Sequence, residues 1–393
     1  MRRPAALLMM TLLAACNGPT GGAGNPDLST KVTRSSAASC LDGQPGVWQN
    51  VSPATFDFSA PPGQGNFGSC PALVLDPTDP ATIYATFDGA GVWKTSDCGG
   101  SWARIDSASS GFTNGPGANC AWTMVIDPTN PKTLYANDGY GGGLGVFKSV
   151  NGGVDWTQGF GTTNLLPNHD SAKSVFVYGG FTGRIAMDPT NPSHLVTSPH
   201  FSCNSPHSAG CLLESKDGMD TWSVLENSLG AGGEGYTFGM VDSTHWLWSD
   251  PGSLGGLFRT EDAGVSWARV AGVDAAYADI YHASTGIYYM PAQNGLYKST
   301  DAITWTRIDG SPGATLITGD GTTMFTTFGF PGFPPRYSTS PENDGETWTA
   351  LPTDAAHGAT DMKEGGGIVH ADPVNHFLYS TNFGSGLWRM STK

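Results

Sequence analysis

The sequence predicts an all-β fold, a seven-bladed β-propeller, on three observations. An octapeptide recurs six times, a longer repeat surrounds it, and the two chain ends are complementary parts of one further unit.

The octapeptide is Ser/Thr-x-Asp-x-Gly-x-Ser/Thr-Trp. Thr95–Trp102 and Thr260–Trp267 fit at every fixed position. Ser149–Trp156 has Asn151 for Asp, Ser215–Trp222 has Met219 for Gly, and Ser299–Trp305 is one residue short. The last copy, ending at Trp348, has Pro341 where the Ser should stand. The residue types are those of a tight turn: a carboxylate to accept backbone N–H groups, a glycine for positive φ, and a hydroxyl to close the loop. The tryptophan then opens the next strand and buries its ring between sheets. The aspartates therefore read as structural and are set aside as site candidates.

Ahead of three copies stands an apolar strand, then Asp-Pro-x-x-Pro, then a second strand. Leu73–Pro77 leads to Thr82–Ala85, Met124–Pro128 to Thr133–Ala136, and Ile185–Pro189 to His194–Val196. A fourth pair, Ile368–Pro373 and Phe377–Tyr379, has no octapeptide after it. A Gly-x-aromatic-Lys/Arg segment leads into several copies: Gly91–Lys94, Gly145–Lys148, Gly256–Arg259 and Gly295–Lys298. One unit is thus four short antiparallel strands, a propeller blade. The chain stops at Gly386–Met390, a third strand lacking a fourth, and Gly46–Val51 reads as a fourth strand lacking its first three. Pairing the two completes a seventh blade and closes the ring without open edges.

Composition agrees. Glycine supplies 55 of 393 residues, about twice the usual ~7%, as a turn-dense fold requires. Helical periodicity is absent beyond the first fifteen residues. With 34 Asp+Glu against 19 Lys+Arg and a net charge of −15, nucleic acid and anionic polysaccharides are disfavoured partners. No phosphate-binding glycine loop, zinc signature or serine nucleophile elbow occurs, and no cofactor is expected.

Residues 1–15 read as a signal peptide, with basic Arg2 and Arg3 before an apolar run too short to span a bilayer. Leu13-Ala14-Ala15-Cys16 resembles a bacterial lipobox, which implies lipidation of Cys16 and a chain held in the cell envelope, at the outer membrane or cell surface, by that anchor alone. Residues 16–39 read as a flexible tether and 40–393 as the propeller, a monomer. Six cysteines remain after Cys16, an even number in an oxidising compartment. Cys203–Cys211 ranks first as a disulfide because seven residues separate the two. Cys40–Cys98 and Cys70–Cys120 follow, since each pair falls on one face of the ring. Cys203, His207 and Cys211 form the one Cys/His group, and no metal is expected there.

Alternating strand direction puts the octapeptides and Asp-Pro turns on one face. The loops between blades and those between second and third strands share the other, at the channel mouth, where propeller ligands bind. Stepping four residues from the Tyr84 position along the second strands gives Asp88, Gly139 with Asp138 beside it, His200, Asp250, Ala292, Gly329 and Phe383. Interblade loops add His169, Asp170, Glu234, Asp361 and Glu364, and aromatic residues Tyr140, Phe201, Trp248, Phe328, Phe330 and Phe333 accompany them. Paired carboxylates beside aromatic platforms suit glycosidic-bond cleavage, with one acid to protonate the leaving oxygen and one base for water. Asp88, Asp250 and Asp138 are the catalytic candidates. His200, Tyr140, Trp248, Phe330 and Phe333 are the substrate-binding ones.

The octapeptide is similar to the Asp-box (BNR-like) repeat of β-propellers. Asp76–Trp93 resembles the first blade of the xyloglucan-cleaving endoglucanases, which implies a general-base role for Asp88. Those enzymes have two propellers and take their acid from the second, so here the acid would come from the same ring, from Asp250 or Asp138. The repeats also resemble sortilin-type receptors and photosystem II assembly propellers, which bind proteins without catalysis. Sialidases are a poorer match: Arg184-Ile185-Ala186 lacks the proline of their Phe/Tyr-Arg-Ile-Pro start. The function expected is binding or inverting endo-hydrolysis of a neutral polysaccharide or oligosaccharide. The alternative is a non-catalytic protein-interaction propeller for envelope assembly.

Overall fold

A computed structural model describes residues 40, 43–56, 72–87, 89–106, 121, 123–138, 145–160, 182–199, 212–225, 238–250, 256–273, 277, 279–329 and 332–393. The expected signal peptide, lipidation site Cys16, tether and pairs Cys70–Cys120 and Cys203–Cys211 lie outside these residues, as do Asp88, Tyr140, His200 and Phe330.

Seven four-stranded antiparallel sheets form the chain. Blade 1 has the strands Leu73–Leu75, Ile83–Phe87, Gly91–Thr95 and Ala103–Arg104. Blades 2 to 6 repeat that order over 124–160, 182–225, 238–269, 281–307 and 316–351. Blade 7 takes Gly366–Asp372, Phe377–Asn382 and Gly386–Ser391 from the C-terminus and Trp48–Asn50 from the N-terminus. First strands of neighbouring blades adjoin one another around the axis, from blade 5 through 6, 7, 1, 2 and 3 to 4. The described residues contain no α-helix, only a 3₁₀ turn at Ala355–His357.

The closure expected from the chain ends is present. Trp48 pairs with Met390, Gln49 with Arg389 and Asn50 with Trp388. Val51 N–H donates to Leu387 O at 2.9 Å, and Gly46 N–H to Ser391 O at 2.9 Å. The Trp48 ring is buried between blades 6 and 7, its centroid 4.7 Å from that of Tyr337, and Nε1 donates to Pro352 O at 3.1 Å. A disulfide joins Cys40, just ahead of this strand, to Cys98 in the octapeptide turn of blade 1. The same-face argument had ranked that pair second. Trp102 Nε1 adds a bond to Val51 O at 2.7 Å, so blade 1 grips the closing strand twice.

The octapeptides fold as their residue types require. Asp97 accepts from Thr95 Oγ1 at 2.6 Å, from Ser101 N–H at 2.8 Å and from Ser101 Oγ at 2.7 Å. Asp262 repeats this with Thr260 and Ser266. The hydrogen bonds from Ser266, then that from Thr260, hold the Asp262 carboxyl down at about 2. These aspartates remain ionised and committed to their turns. The turn bends through positive φ twice, 56° at Ala263 and 84° at Gly264. A Cβ on Gly264 would meet the Trp246 ring at 2.9 Å, so space and backbone both demand glycine there.

Neighbouring blades are latched on this face by one recurring pair. A second-strand tyrosine faces a third-strand cation: Tyr84 opposite Lys94, Tyr135 opposite Lys148, Tyr289 opposite Lys298, Tyr379 opposite Arg389. The cation then reaches the turn of the next blade. Lys148 meets Asp220 at 3.5 Å, Lys298 pairs with Glu346, and Arg389 Nη1 donates to Cys98 O at 2.8 Å.

Candidate functional site

The mouth is framed by the ends of the second strands. Its residues can be ranked by what each pairs with on the third strand. Phe87 faces Gly91, Asp138 faces Gly145, Asp250 faces Gly256, Ala292 faces Gly295 and Asn382 faces Gly386. Asp138 and Asp250 therefore share one register position, and Asp88 falls one residue past it. The sequence alignment had put Asp88 and Asp250 level. It took Trp246 as the counterpart of Tyr84, whereas Leu247 stands opposite Arg259 as Tyr84 stands opposite Lys94. Ala292 is displaced from that alignment for the same reason. A one-residue offset matters because successive side chains leave opposite faces of a strand.

One position earlier the strands carry a row of buried polar side chains with a structural task. Thr86 Oγ1 accepts from Ala72 N–H at 3.1 Å. Asn137 accepts from Thr123 N–H at 3.2 Å and donates to Gly183 O of blade 3 at 3.2 Å. Thr381 Oγ1 accepts from Ile368 N–H at 2.9 Å. This row satisfies backbone groups at the mouth ends of the first strands, which would otherwise be buried without partners. Asn382, in register with Asp138 and Asp250, is also buried and donates to Glu364 O at 2.7 Å and to Tyr337 Oη at 2.8 Å.

The aromatic candidates divide. Trp248 is buried against Phe258 and Trp267, with ring centroids 6.0 and 5.9 Å away. It is part of the packing of blades 3 and 4, where the sequence had suggested a binding platform. Phe333, in contrast, is 44% exposed, in the loop between the second and third strands of blade 6. It stands edge-on to Phe328, centroids 5.6 Å apart. That loop is tied to blade 7: Glu364 accepts from Gly332 N–H at 3.1 Å, and Phe333 O accepts from Gly365 N–H at 2.9 Å. Two loop residues named separately in the sequence, Phe333 and Glu364, thus come together.

Beneath the mouth the axis is crossed by Arg184, weighed in the sequence only as an incomplete sialidase start. Arg184, near the start of the first strand of blade 3, is buried, and Nη2 donates across the ring to Gly367 O of blade 7 at 3.1 Å. Burial pulls its guanidinium down to about 9, while the negative charge of Asp279 from blade 5 works the other way. Asp279 is itself buried and accepts from Ile317 N–H at 3.0 Å. His370 Nε2 of blade 7 donates to Leu73 O at 3.1 Å, and burial, joined by the Arg184 charge, pushes its imidazole down to about 4. The signal available was an arginine directly ahead of the apolar run Ile185–Met187 in the first strand, Thr182–Asp188. Among the described residues no group of three His, Cys, Asp or Glu side chains is arranged to hold a metal ion, and none of their helices is long and apolar enough to cross a membrane.

Comparison with known proteins places the fold. No model of a known protein family matches the chain, and neither does any curated protein. Solved structures do. A GH74 xyloglucanase from Xanthomonas campestris is 18% identical with a TM-score of 0.57, over 88% of this chain and 54% of that one. The chain thus spans about half the length of that enzyme. YCF48 bound to D1 peptide is 12% identical, TM-score 0.56, over 90% of this chain and 99% of that one. The extracellular domain of a putative hybrid two-component system from B. thetaiotaomicron is 11% identical, TM-score 0.59, over 84% of this chain and 41% of that one. At these identities the likeness is one of fold.

Proposed function

We propose that this chain is an Asp-box propeller that binds a neutral polysaccharide at its channel mouth, along the arc of blades 6, 7, 1 and 2. The observation that carries the reading is Phe333, an exposed aromatic ring on a mouth loop whose backbone is tied to the Glu364 carboxylate through Gly332. A flat apolar ring next to an acceptor-only group suits a sugar, which offers C–H faces to one and hydroxyls to the other. The arc continues through the chain positions of Asp88 and Asp138. Arg184 beneath the mouth has Asp279 as counter-charge, which supports a neutral ligand over an anion. Likeness to the xyloglucanase fold supports the same substrate class.

On this reading Asp88 is the general base for water and Asp138 or Asp250 the acid, giving hydrolysis with inversion at a carboxyl separation of roughly 6.5–9.5 Å. Cys16, lipidated after removal of residues 1–15, would hold the propeller at a bacterial outer membrane or cell surface. Affinity electrophoresis of the chain in gels containing neutral or anionic polysaccharides tests the binding step. Retardation by at least one neutral glycan, lost in Phe333→Ala, is expected. No retardation by any glycan overturns the reading. Full-length overlap with YCF48, a propeller bound to a peptide, supports the alternative of protein recognition at the same mouth. Capture of an extended peptide that Phe333→Ala abolishes, with no glycan bound, would establish that alternative.

A further inference from the structure

Blade 6, with Ser340 opposite Met324, lacks the third-strand cation, but blade 3 departs from the latch at two positions at once. Where blades 1, 2, 4, 5 and 7 carry Lys94, Lys148, Arg259, Lys298 and Arg389, blade 3 carries Glu214, opposite Val196. Six residues after the turn aspartate, where blades 1 and 2 have Thr82 and Thr133, blade 3 has His194. The cation missing from the third strand is replaced by an imidazole on the second.

Its surroundings fix its charge. His194 Nδ1 lies 3.1 Å from Asp188 Oδ2, and Nε2 lies 2.9 Å from Glu214 Oε1. All three side chains are buried. Facing two ionised carboxylates, which can only accept, both ring nitrogens donate, and the ring is then an imidazolium. Burial alone would lower its proton affinity, but the hydrogen bonds to Glu214 and Asp188 and their charges outweigh that and raise it. The cluster reaches into blade 4: Ser243 Oγ donates to Asp188 Oδ2 and lies 3.2 Å from Thr190 Oγ1, and the Trp246 ring packs on His194 with centroids 5.6 Å apart. Lys216 Nζ stands 3.3 Å from the other oxygen of Glu214. Asp242 and His245, in the blade 4 turn, pair with each other at 2.7 Å.

We propose that the seam between blades 3 and 4 is a proton-operated clasp, closed while His194 carries both ring protons and loosened when it loses one. A neutral ring keeps a single N–H, so one buried carboxylate would then face a lone pair. The second strands that meet at this seam, Asn191–Pro199 and Trp246–Asp250, where Trp246 packs on His194, run to the mouth. Alkaline loosening would therefore reach the mouth loops. The sign follows from the raised proton affinity of the folded state: the stabilisation is complete below the unfolded value of 6.5 and is lost as pH rises through the folded one.

The seam between blades 5 and 6 is an internal reference, because Glu342 there accepts from Tyr281 Oη, from Ser284 N–H and Oγ, and from Gly321 N–H, with no histidine in the set. Hydrogen exchange of the full chain between pH 6 and 9, corrected for intrinsic rates, tests the clasp. Protection of 191–199 and 238–250 should fall about tenfold or more, while that of 281–289 and 316–325 changes less than about twofold. His194→Gln should remove the pH dependence and His245→Gln should retain it. Equal behaviour of the two seams in the unmodified chain overturns the proposal, whether or not His194→Gln folds. So does a pH-dependent loss that survives in His194→Gln.

Discussion

Replacing Trp48 by alanine removes the residue that seats the N-terminal strand in the ring. The ring is 2% exposed, lies against Tyr337 and Trp388, and donates its one hydrogen bond to Pro352 O. Burial of a tryptophan covers about 150–250 Å², worth about 4–6 kcal/mol at ~25 cal/mol/Å². Measured losses for large aromatic truncations run at about 3–5 kcal/mol. An expected cost near 4 kcal/mol therefore includes the unpaired carbonyl of Pro352. Urea unfolding of the full chain at pH 7, followed by far-UV circular dichroism with the disulfide intact, measures it. Val265→Ala is the control: at 78% exposure its unfolding free energy should change by less than about 0.5 kcal/mol. A Trp48→Ala cost below about 1 kcal/mol would mean that the closing strand contributes little, and would refute the account of ring closure.

Other expectations follow from the channel. Arg184→Met leaves the buried Asp279 without its cation and should cost about 3–5 kcal/mol in the same assay, whereas Arg184→Lys should recover part of that. His370 is buried neutral, with its imidazole pushed down to about 4 against 6.5 when unfolded. The unfolded chain therefore takes up the extra proton first, and stability should fall as pH drops from 6.5 towards 4, by roughly 3 kcal/mol. His370→Asn should flatten that part of the unfolding-versus-pH curve.

Repetition made the fold legible. Each octapeptide carries its own turn chemistry, so the six copies, with the complementary ends at Gly46–Val51 and Gly386–Met390, located the blades and their closure. The link between Cys40 and Cys98 was also readable, because strand alternation alone put both on one face. Register in blade 4 was not. Its first turn, Val241–Thr244, lacks Asp-Pro, and Trp246 and Trp248 offer two aromatics of which neither occupies the Tyr84 position. Trp248 looked like a platform for the same reason, and only packing against Phe258 and Trp267 reveals it as core. Arg184's role was hidden because its partner Gly367 lies 183 residues away, and His194's because its carboxylates sit on the two neighbouring strands of its blade, Asp188 and Glu214, with Ser243 of the next blade joining through Asp188. Local patterns carry turns and strands, whereas contacts across a ring appear only once the ring is closed.

The central claim is a glycan site at the mouth, and release of new reducing ends from neutral polysaccharides by the full chain tests it most directly. Side by side with the unmodified chain, Asp88→Asn, Asp138→Asn and Asp250→Asn should each keep the fold. Asp88→Asn and one of the other two should lower release by a hundredfold or more, on the order of a lost general base or acid. The first-formed product should carry the inverted anomer. Release that Asp88→Asn leaves unchanged, or no release together with no retardation by any neutral glycan, would contradict it.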